Sequence, residues 1–238
     1  MTPVFYLKEC SSTNDEIDAY LLYEKAEILA VYTFNQTKGK GQYGNSWISP
    51  KNMNLAYSLA IPAEKIKVRE NLFNFRTATV LRDYLANLTK VSVEIKWPND
   101  LIVGNKKISG ILIEKKNIDG KPYFIIGIGV NVLQQDFENL PKAGSLLTQT
   151  GVHFDLVEFA DQLHQYLVDH LTKEKTDTEI LEQVNDHLFR KNVVSVFEVE
   201  GIRQNGIIRD VDEDGFLWVE LENGGLQKFF HKEIEMLY

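Results

Sequence analysis

Two tight turns between apolar runs constrain this chain more than any other feature. Leu101-Ile102-Val103 is followed by Gly104-Asn105 and then by the apolar stretch 108–113, and Asp119-Gly120 separates that stretch from another at 123–132. Gly-Asn and Asp-Gly suit turns whose central residues take positive φ, and such turns join antiparallel neighbours. A parallel pair would need a crossover of about a dozen residues or more. Successive strands therefore lie side by side in a largely antiparallel or mixed sheet, and a βαβ repeat is excluded.

The rest of the chain is read around that sheet. Residues Val4 to Leu7 form a short first strand, and Ser11-Ser12-Thr13-Asn14 opens a helix in which Thr13 and Glu16 stand at capping-box spacing before Ile17, Tyr20, Leu21 and Leu22. Strands are expected at 28–34, 54–61 and 91–97, with a polar, glycine-rich loop over 35–51. Leu72, Phe75, Thr79, Leu81, Leu85 and Leu88 recur at helical spacing and predict a helix over about 69–88. Asp155 caps another helix, and a further one runs near 178–188. From about Arg190 the texture changes to short strands at 193–199, 202–211, 216–221 and 226–230, with a fifth at 234–237. Such a run predicts a small SH3-like β-barrel. A length of 238 residues lies between one domain and two. The expected organisation is an α+β fold with a larger unit over 1–188 and a small one over 189–238.

Charge and cysteine usage narrow the function classes. The balance of 26 basic and 34 acidic residues leaves a net charge of −8, which argues against a protein that wraps nucleic acid. The single cysteine, Cys10, rules out a disulfide framework and a multi-cysteine zinc site, and fits a reducing cytoplasm. As a nucleophile Cys10 would need a lowered pKa, and it reads instead as a buried, unreactive thiol. No signal peptide is visible at the N-terminus, and no stretch approaches the ~20 apolar residues of a membrane span. The histidines, at 153, 164, 170, 187 and 231, show no pair at metal-ligand spacing.

The most chemical-looking segment runs from Gln36 to Trp47. Gly39, Gly41 and Gly44 match G-x-G-x-x-G, yet Trp47-Ile48-Ser49-Pro50 is no helix start, and a dinucleotide site needs one. A P-loop fails too, because Asn45 stands where the phosphate-binding lysine belongs. Two readings remain: a mobile surface loop, or an anion cradle of glycine-exposed N–H groups beside Lys38, Lys40 and Lys51. A second constellation pairs Lys96-Trp97-Pro98-Asn99-Asp100 with Lys106-Lys107-Ile108-Ser109-Gly110, brought together by the hairpin. Two lysines beside an Asp suit adenylation, with cations for charge growing on an α-phosphate and a carboxylate to orient Mg²⁺ or a lysine. They read equally well as solvated hairpin lysines, which is the preferred reading for Lys106. Gly127 and Gly129 within a strand imply close approach to the backbone, so that Asn131 either faces a ligand or closes a turn.

Taken together, Ser12-Thr13-Asn14, the 36–47 loop, Lys96-Trp97-Pro98-Asn99-Asp100, Lys107-Ile108-Ser109-Gly110 and Gly127-Ile128-Gly129-Val130-Asn131 resemble the biotin protein ligase family, also called biotin–[acetyl-CoA-carboxylase] ligases. The resemblance spans nearly the whole chain. It implies a class II synthetase-like catalytic domain over 1–188 followed by the SH3-like domain. It also implies a two-step reaction: biotin and MgATP give biotinyl-5′-AMP, and a lysine on a biotin carboxyl carrier domain of a biotin-dependent carboxylase then takes the biotin. By resemblance, Ser12, Thr13, Asn14 and Gln36 line the biotin head pocket, and Lys40-Gly41-Gln42 closes over biotin and phosphate. Lys107 binds carboxyl and phosphate oxygens, and Gly110 offers backbone contact. Trp47 stacks on or shields adenine with Asn131 nearby, while Asn99, Asp100 and Lys96 serve the nucleotide, Mg²⁺ and the incoming lysine, Asp100 as the metal ligand.

Two departures matter. Many members carry Arg-Gly-Arg where this chain has Lys40-Gly41-Gln42, and lysine lacks the bidentate fork of arginine. Many also begin with a DNA-binding domain, whereas eleven residues precede Ser12, so a short form without a DNA partner is expected. The rivals are a lipoate or octanoyl ligase of the same fold and a non-catalytic biotin-binding protein. The presence of Lys96, Asp100 and Lys107 argues against lost catalysis. Several sheet edges could pair, which leaves a homodimer open.

Overall fold

The structure, a computed structural model, describes residues 2–24, 26–138 and 140–238. In the first part, strands β1 (Val4–Leu7), β2 (Leu29–Thr33), β3 (Gly39–Lys40), β4 (Ser46–Trp47), β5 (Asn54–Pro62), β6 (Glu94–Lys96), β7 (Asp100–Val103), β8 (Lys106–Ile118) and β9 (Lys121–Asn131) alternate with helices α1 (Thr13–Glu24) and α2 (Glu70–Thr89). Helices α3 (Leu146–Thr150), α4 (Leu156–Leu171) and α5 (Asp177–Asp186) follow. Then come β10 (Val194–Val199), β11 (Ile202–Val211), β12 (Leu217–Leu221), β13 (Gly225–Phe229) and β14 (Glu235–Leu237).

The main sheet has the order β1-β2-β5-β9-β8-β7-β6. Its first pair is parallel and the remaining pairs are antiparallel. Both predicted turns hold: φ is +55° at Gly104 and +65° at Asn105, then +51° at Asp119 and +76° at Gly120. Positive φ at both central positions matches the right-handed twist of the flanking strands.

Helices cover the sheet on both faces. Leu55, Tyr57, Leu59 and Ile61 of β5 join Phe73 and Leu81 of α2 and Leu163 of α4 in one apolar cluster. Ala60 of β5 instead joins Ile17, Leu21, Leu29, Val31 and Ile125 under α1. With both faces covered, every residue of β5 is buried.

Several boundaries differ from expectation. The third predicted strand shrinks to Glu94–Lys96, and the 35–51 loop contains the small β3–β4 hairpin. Thr13 does not cap α1; its hydroxyl faces inward, 2.8 Å from the Ser58 hydroxyl. Helix α3, which carries no long apolar period, starts at a capping box between Ser145 and Thr148. Asp155 caps α4 as predicted, accepting from the N–H groups of Val157 and Glu158.

The C-terminal strands form a second sheet, ordered β13-β12-β11-β10-β14. Its inward residues Phe197, Ile208, Val211, Leu217 and Val219 belong to the same apolar cluster as Ile95 and Leu188. Polar ties fix its position. The Trp97 indole N–H donates to the Gly215 carbonyl (3.0 Å), and Asn185 exchanges two hydrogen bonds with the Val211 backbone (3.0 and 2.8 Å). This docking sets the C-terminal strands beside β6 and the end of the site described next.

Candidate active site

The N-terminal turn of α1 delivers Thr13 and Asn14, each 3% exposed, against the middle of β5. The Ser58 hydroxyl donates to Asn14 Oδ1 at 2.6 Å, an atom that can only accept. Asn14 Nδ2 donates to Glu114 Oε2 at 2.7 Å, and the Thr13 backbone N–H donates to Gln36 Oε1 at 2.9 Å. Lys116 Nζ donates to the Asn14 carbonyl at 2.6 Å. The buried side chains of Thr13, Asn14 and Ser58 all have partners, so the geometry is held from several sides. Gly127 makes room for it: a Cβ there would lie 2.4 Å from Asn14 Oδ1.

A second bare patch lies one step further along the sheet. Gly110 and Gly129 face each other across β8 and β9, and the Trp47 indole rests on both. A Cβ on Gly129 would meet Trp47 Cε2 at 2.4 Å, and one on Gly110 would meet Cζ3 at 3.1 Å. The two strand glycines are thus a seat for a side chain delivered by β4. Trp47 Nε1 is buried there without a hydrogen-bond partner.

At the edge of this seat Lys107 Nζ pairs with Asp100 Oδ1 at 2.7 Å and lies 5.6 Å from the centre of the Trp47 ring. Asp100 also stands directly opposite Lys96 across β6 and β7. Burial lowers the Lys96 pKa, opposed by Asp100 and reinforced by Lys107 and Lys142. Burial and Asp100 push the Tyr238 phenol up to about 12.

Two cavities meet at the Lys107–Asp100 pair. The smaller, about 150 Å³, has Ser12, Thr13, Asn14 and Gln36 at its polar end, Ala56, Ile111, Leu112 and Ile128 as apolar wall, and Lys40, Gly41 and Gln42 on its loop side. The larger, about 490 Å³, is lined by Lys96, Asn131, Lys142 and Tyr238 together with apolar Ile48, Phe137, Leu140 and Met236. Trp47, Asp100 and Lys107 line both. Gly110 lines the smaller one.

The structure thus gathers most of the predicted residues around the two cavities and gives several of them partners within the chain. Lys40 reaches outward, with Nζ 2.7 Å from Asp15 Oδ1, so it must leave that exposed partner to meet a ligand. Asn99 spends its amide on the Ile111 carbonyl (2.7 Å) and holds the edge of β8. Asn131 donates to the Gly144 carbonyl (2.9 Å) and fixes the segment that carries Lys142. Lys96 lines the larger cavity and is absent from the lining of the smaller. Among the described residues no group of three or more His, Cys, Asp or Glu side chains could hold a metal. Sequence reasoning missed Ser58, Glu114, Lys142 and Tyr238. Ser58 is a single hydroxyl inside the apolar run of β5, and Glu114 follows the apolar run of β8 beside Lys115 and Lys116, so neither marks a site in the sequence; Lys142 offered no signal either.

Fold and site together define a class: an α+β protein whose antiparallel sheet carries a small cavity with a neutral polar end, joined through a Lys–Asp pair to a larger cationic one. The sequence profile of the Biotin/lipoate A/B protein ligase family matches residues 6–131, more than half of the chain, and the chain belongs to that family. It is 26% identical over 239 residues to the bifunctional ligase/repressor BirA of Escherichia coli (strain K12), covering 93% of this chain and 71% of that protein. It is 27% identical over 195 residues to the biotin–[acetyl-CoA-carboxylase] ligase of Mycobacterium tuberculosis, covering 79% of this chain and 71% of that one. In fold it is similar to the biotin protein ligase from Aquifex aeolicus in complex with biotin and ATP, with a TM-score of 0.82, 24% identity, and coverage of 100% and 99% of the two chains.

Proposed function

We propose that this protein is an ATP-dependent biotin–[acetyl-CoA-carboxylase] ligase. The observation that carries the reading is the junction of the two cavities at Lys107. A ligand with a neutral hydrogen-bonding head and an anionic tail fits the smaller cavity head first, with its tail at that lysine. Biotin has this shape: its ureido group offers one carbonyl acceptor and two N–H donors. Ser12, Thr13, Asn14 and Gln36 supply matching groups, and Ala56, Ile111 and Ile128 flank the apolar chain. The Mycobacterium tuberculosis relative and the Aquifex aeolicus structure, both called biotin ligases, support the same substrate.

In the first step a biotin carboxylate oxygen attacks the α-phosphorus of ATP. The bond from that phosphorus to the bridging oxygen breaks, and pyrophosphate leaves with the electron pair. Lys107 exchanges Asp100 for the carboxylate and phosphoryl oxygens, where its ammonium offsets the growing charge. Lys96 and Lys142 face the nucleotide's cavity. In the second step the neutral amine of a lysine on a biotin carboxyl carrier domain attacks the acyl carbon; AMP leaves and the amine's extra proton is released. Trp47 and the 39–47 loop keep water from the mixed anhydride meanwhile.

A nucleotide-borne Mg²⁺ fits the donor set, because such ions need only one or two protein carboxylates. Asp100 is the carboxylate that would hold it, and Mg²⁺ supplies charge neutralisation on the phosphates. Residues 1–188 act as the catalytic unit and 189–238 as an SH3-like unit packed against its nucleotide end. The net charge of −8 supports a partner list without DNA. Among the described residues no helix is long and apolar enough to cross a membrane, and a cytoplasmic setting fits the lone thiol. A homodimer through a free sheet edge is compatible with this reading.

The test is incubation of the purified protein with biotin, MgATP and a carrier domain. Pyrophosphate release and a single biotin on one carrier lysine, read by intact mass, are expected. Transfer of lipoate in place of biotin would overturn the substrate, and tight biotin binding without pyrophosphate release would overturn the activity.

A further inference from the structure

The turn between β13 and β14 touches the glycine loop, and the backbone is unusual on both sides of the contact. The His231 imidazole, between β13 and β14, stacks on the Tyr43 ring with centroids 4.5 Å apart and planes 17° from parallel. Lys232 Nζ lies 4.8 Å from the centre of the same ring. Tyr43 has φ +56° and Lys232 has φ +72°. An L residue with a side chain is unfavourable in that left-handed region. Such conformations persist where surroundings hold them and cluster at clamps and switches. The 230–233 turn is itself braced, since the Phe230 N–H donates to Glu233 Oε2 at 2.6 Å. His231 is also 5.8 Å from the Trp97 ring and lines the smaller cavity beside Gly41, Gln42 and Asn45. Burial, Lys232 and Lys96 lower the His231 pKa against an opposing pull from Asp100, which favours the neutral imidazole in the stack.

We propose that His231 is a positioning residue, a latch by which the C-terminal sheet holds the 39–47 loop closed over the smaller cavity through its stack on Tyr43. This role rests on the ligase reading for its purpose: a held loop keeps the adenylate from water until the carrier lysine arrives. Its structural part stands without that reading. The strained Tyr43 turn keeps its shape because the imidazole stacks on the ring and the Lys232 ammonium lies close to it, and releasing the ring releases the turn.

The experiment compares His231→Ala, His231→Phe, Tyr43→Ala and the double alanine variant in the full chain. Amide hydrogen exchange across 38–46 is read without ligand, and the lifetime of the adenylate is read without acceptor. His231→Ala is expected to speed loop exchange and adenylate loss by about three- to tenfold, the range of an aromatic pair. His231→Phe, which keeps a flat ring, restores both, and the double variant is no worse than either single one. Unchanged loop exchange in His231→Ala, or additive effects in the double variant, overturns the latch. Tyr43→Ala serves the same comparison if His231→Ala does not fold. A wild-type chain that makes no adenylate sinks the ligase reading alone, because the loop exchange result is independent of it.

Discussion

Lys107 stands where both cavities end, and its role can be separated from its structural worth. Its side chain is 34% exposed and its partner Asp100 sits at the strand edge, so removing the ammonium leaves the apolar core untouched. Lys107→Ala should lower adenylate formation by about 10²–10³, the scale for losing one preorganised charge-stabilising group. Pyrophosphate release measures the loss and circular dichroism checks the fold; normal turnover in a folded variant refutes the assignment. Ser58 carries a different kind of cost. Ser58→Ala leaves Asn14 Oδ1 without its 2.6 Å donor, which should destabilise the chain by about 1–3 kcal/mol and weaken biotin binding. Urea midpoints and calorimetric titration check the two effects. Cys10 gives a third residue-scale prediction. Burial first, then Glu16, Asp15 and Glu9, raise its pKa from 9.0 to about 11. Below that value the thiol stays protonated, so at pH 8 its thiolate population is about a hundredth of a free thiol's. A thiol reagent should react slowly with native protein and quickly once urea exposes the chain. At this scale Thr13, Asn14, Asp100 and Lys107 were legible because they stand in short polar runs at element ends. Ser58 and Glu114 were not: one hydroxyl inside an apolar strand breaks no period, and a carboxylate followed by two lysines reads as a solvated strand end. Nor could spacing show that Lys40 pairs with Asp15, a contact between separate elements.

Among the elements, β9 shows how a strand makes a binding surface by leaving side chains out. Gly127 gives space to Asn14 and Gly129 gives space to Trp47. Gly127→Ala puts a methyl 2.4 Å from Asn14 Oδ1. The strand can keep its ladder while Asn14 rotates away and loses Ser58 and Glu114. Biotin binding should weaken at least about tenfold, equivalent to about 1.4 kcal/mol, with the fold retained. Gly129→Ala should instead dislodge the indole and spare the head pocket, so biotin affinity changes less than retention of the adenylate. Titration of both variants with biotin, then with biotin and ATP, separates the two seats; equal losses in both would contradict the division. The turns at 104–105 and 119–120 were readable because their geometry is set by local φ. The glycines of β9 announced a close approach, but which side chain would come needed the crossing of α1 and β4 over the sheet. The overlong expectation for β6 has a similar cause: Val93 is a core residue and Val91 packs against the core on the approach to the strand, and periodicity does not distinguish packing from pairing.

For the molecule as a whole, the chemistry is an assembly of cations from distant parts of an acidic chain. Lys96, Lys107 and Lys142 converge on one cavity, and Tyr238, just past the last strand, also lines it. The larger sheet therefore does not complete the site alone. Nor does it complete its own core. Phe197, Ile208 and Leu217 pack in the same cluster as Ile95 and Leu188, and the Trp97–Gly215 and Asn185–Val211 hydrogen bonds cross the boundary. An interface of this kind, apolar inside and bonded at its rim, couples unfolding of the two parts. The full chain should melt in one transition with calorimetric and van't Hoff enthalpies equal. A chain ending at residue 188 should show no cooperative transition, because the faces of Ile95, Trp97 and Leu188 would be left in water. Two resolved transitions in the intact protein, or a sharp melt in the shortened one, would mean that the C-terminal sheet rests on the larger unit without helping to hold it together.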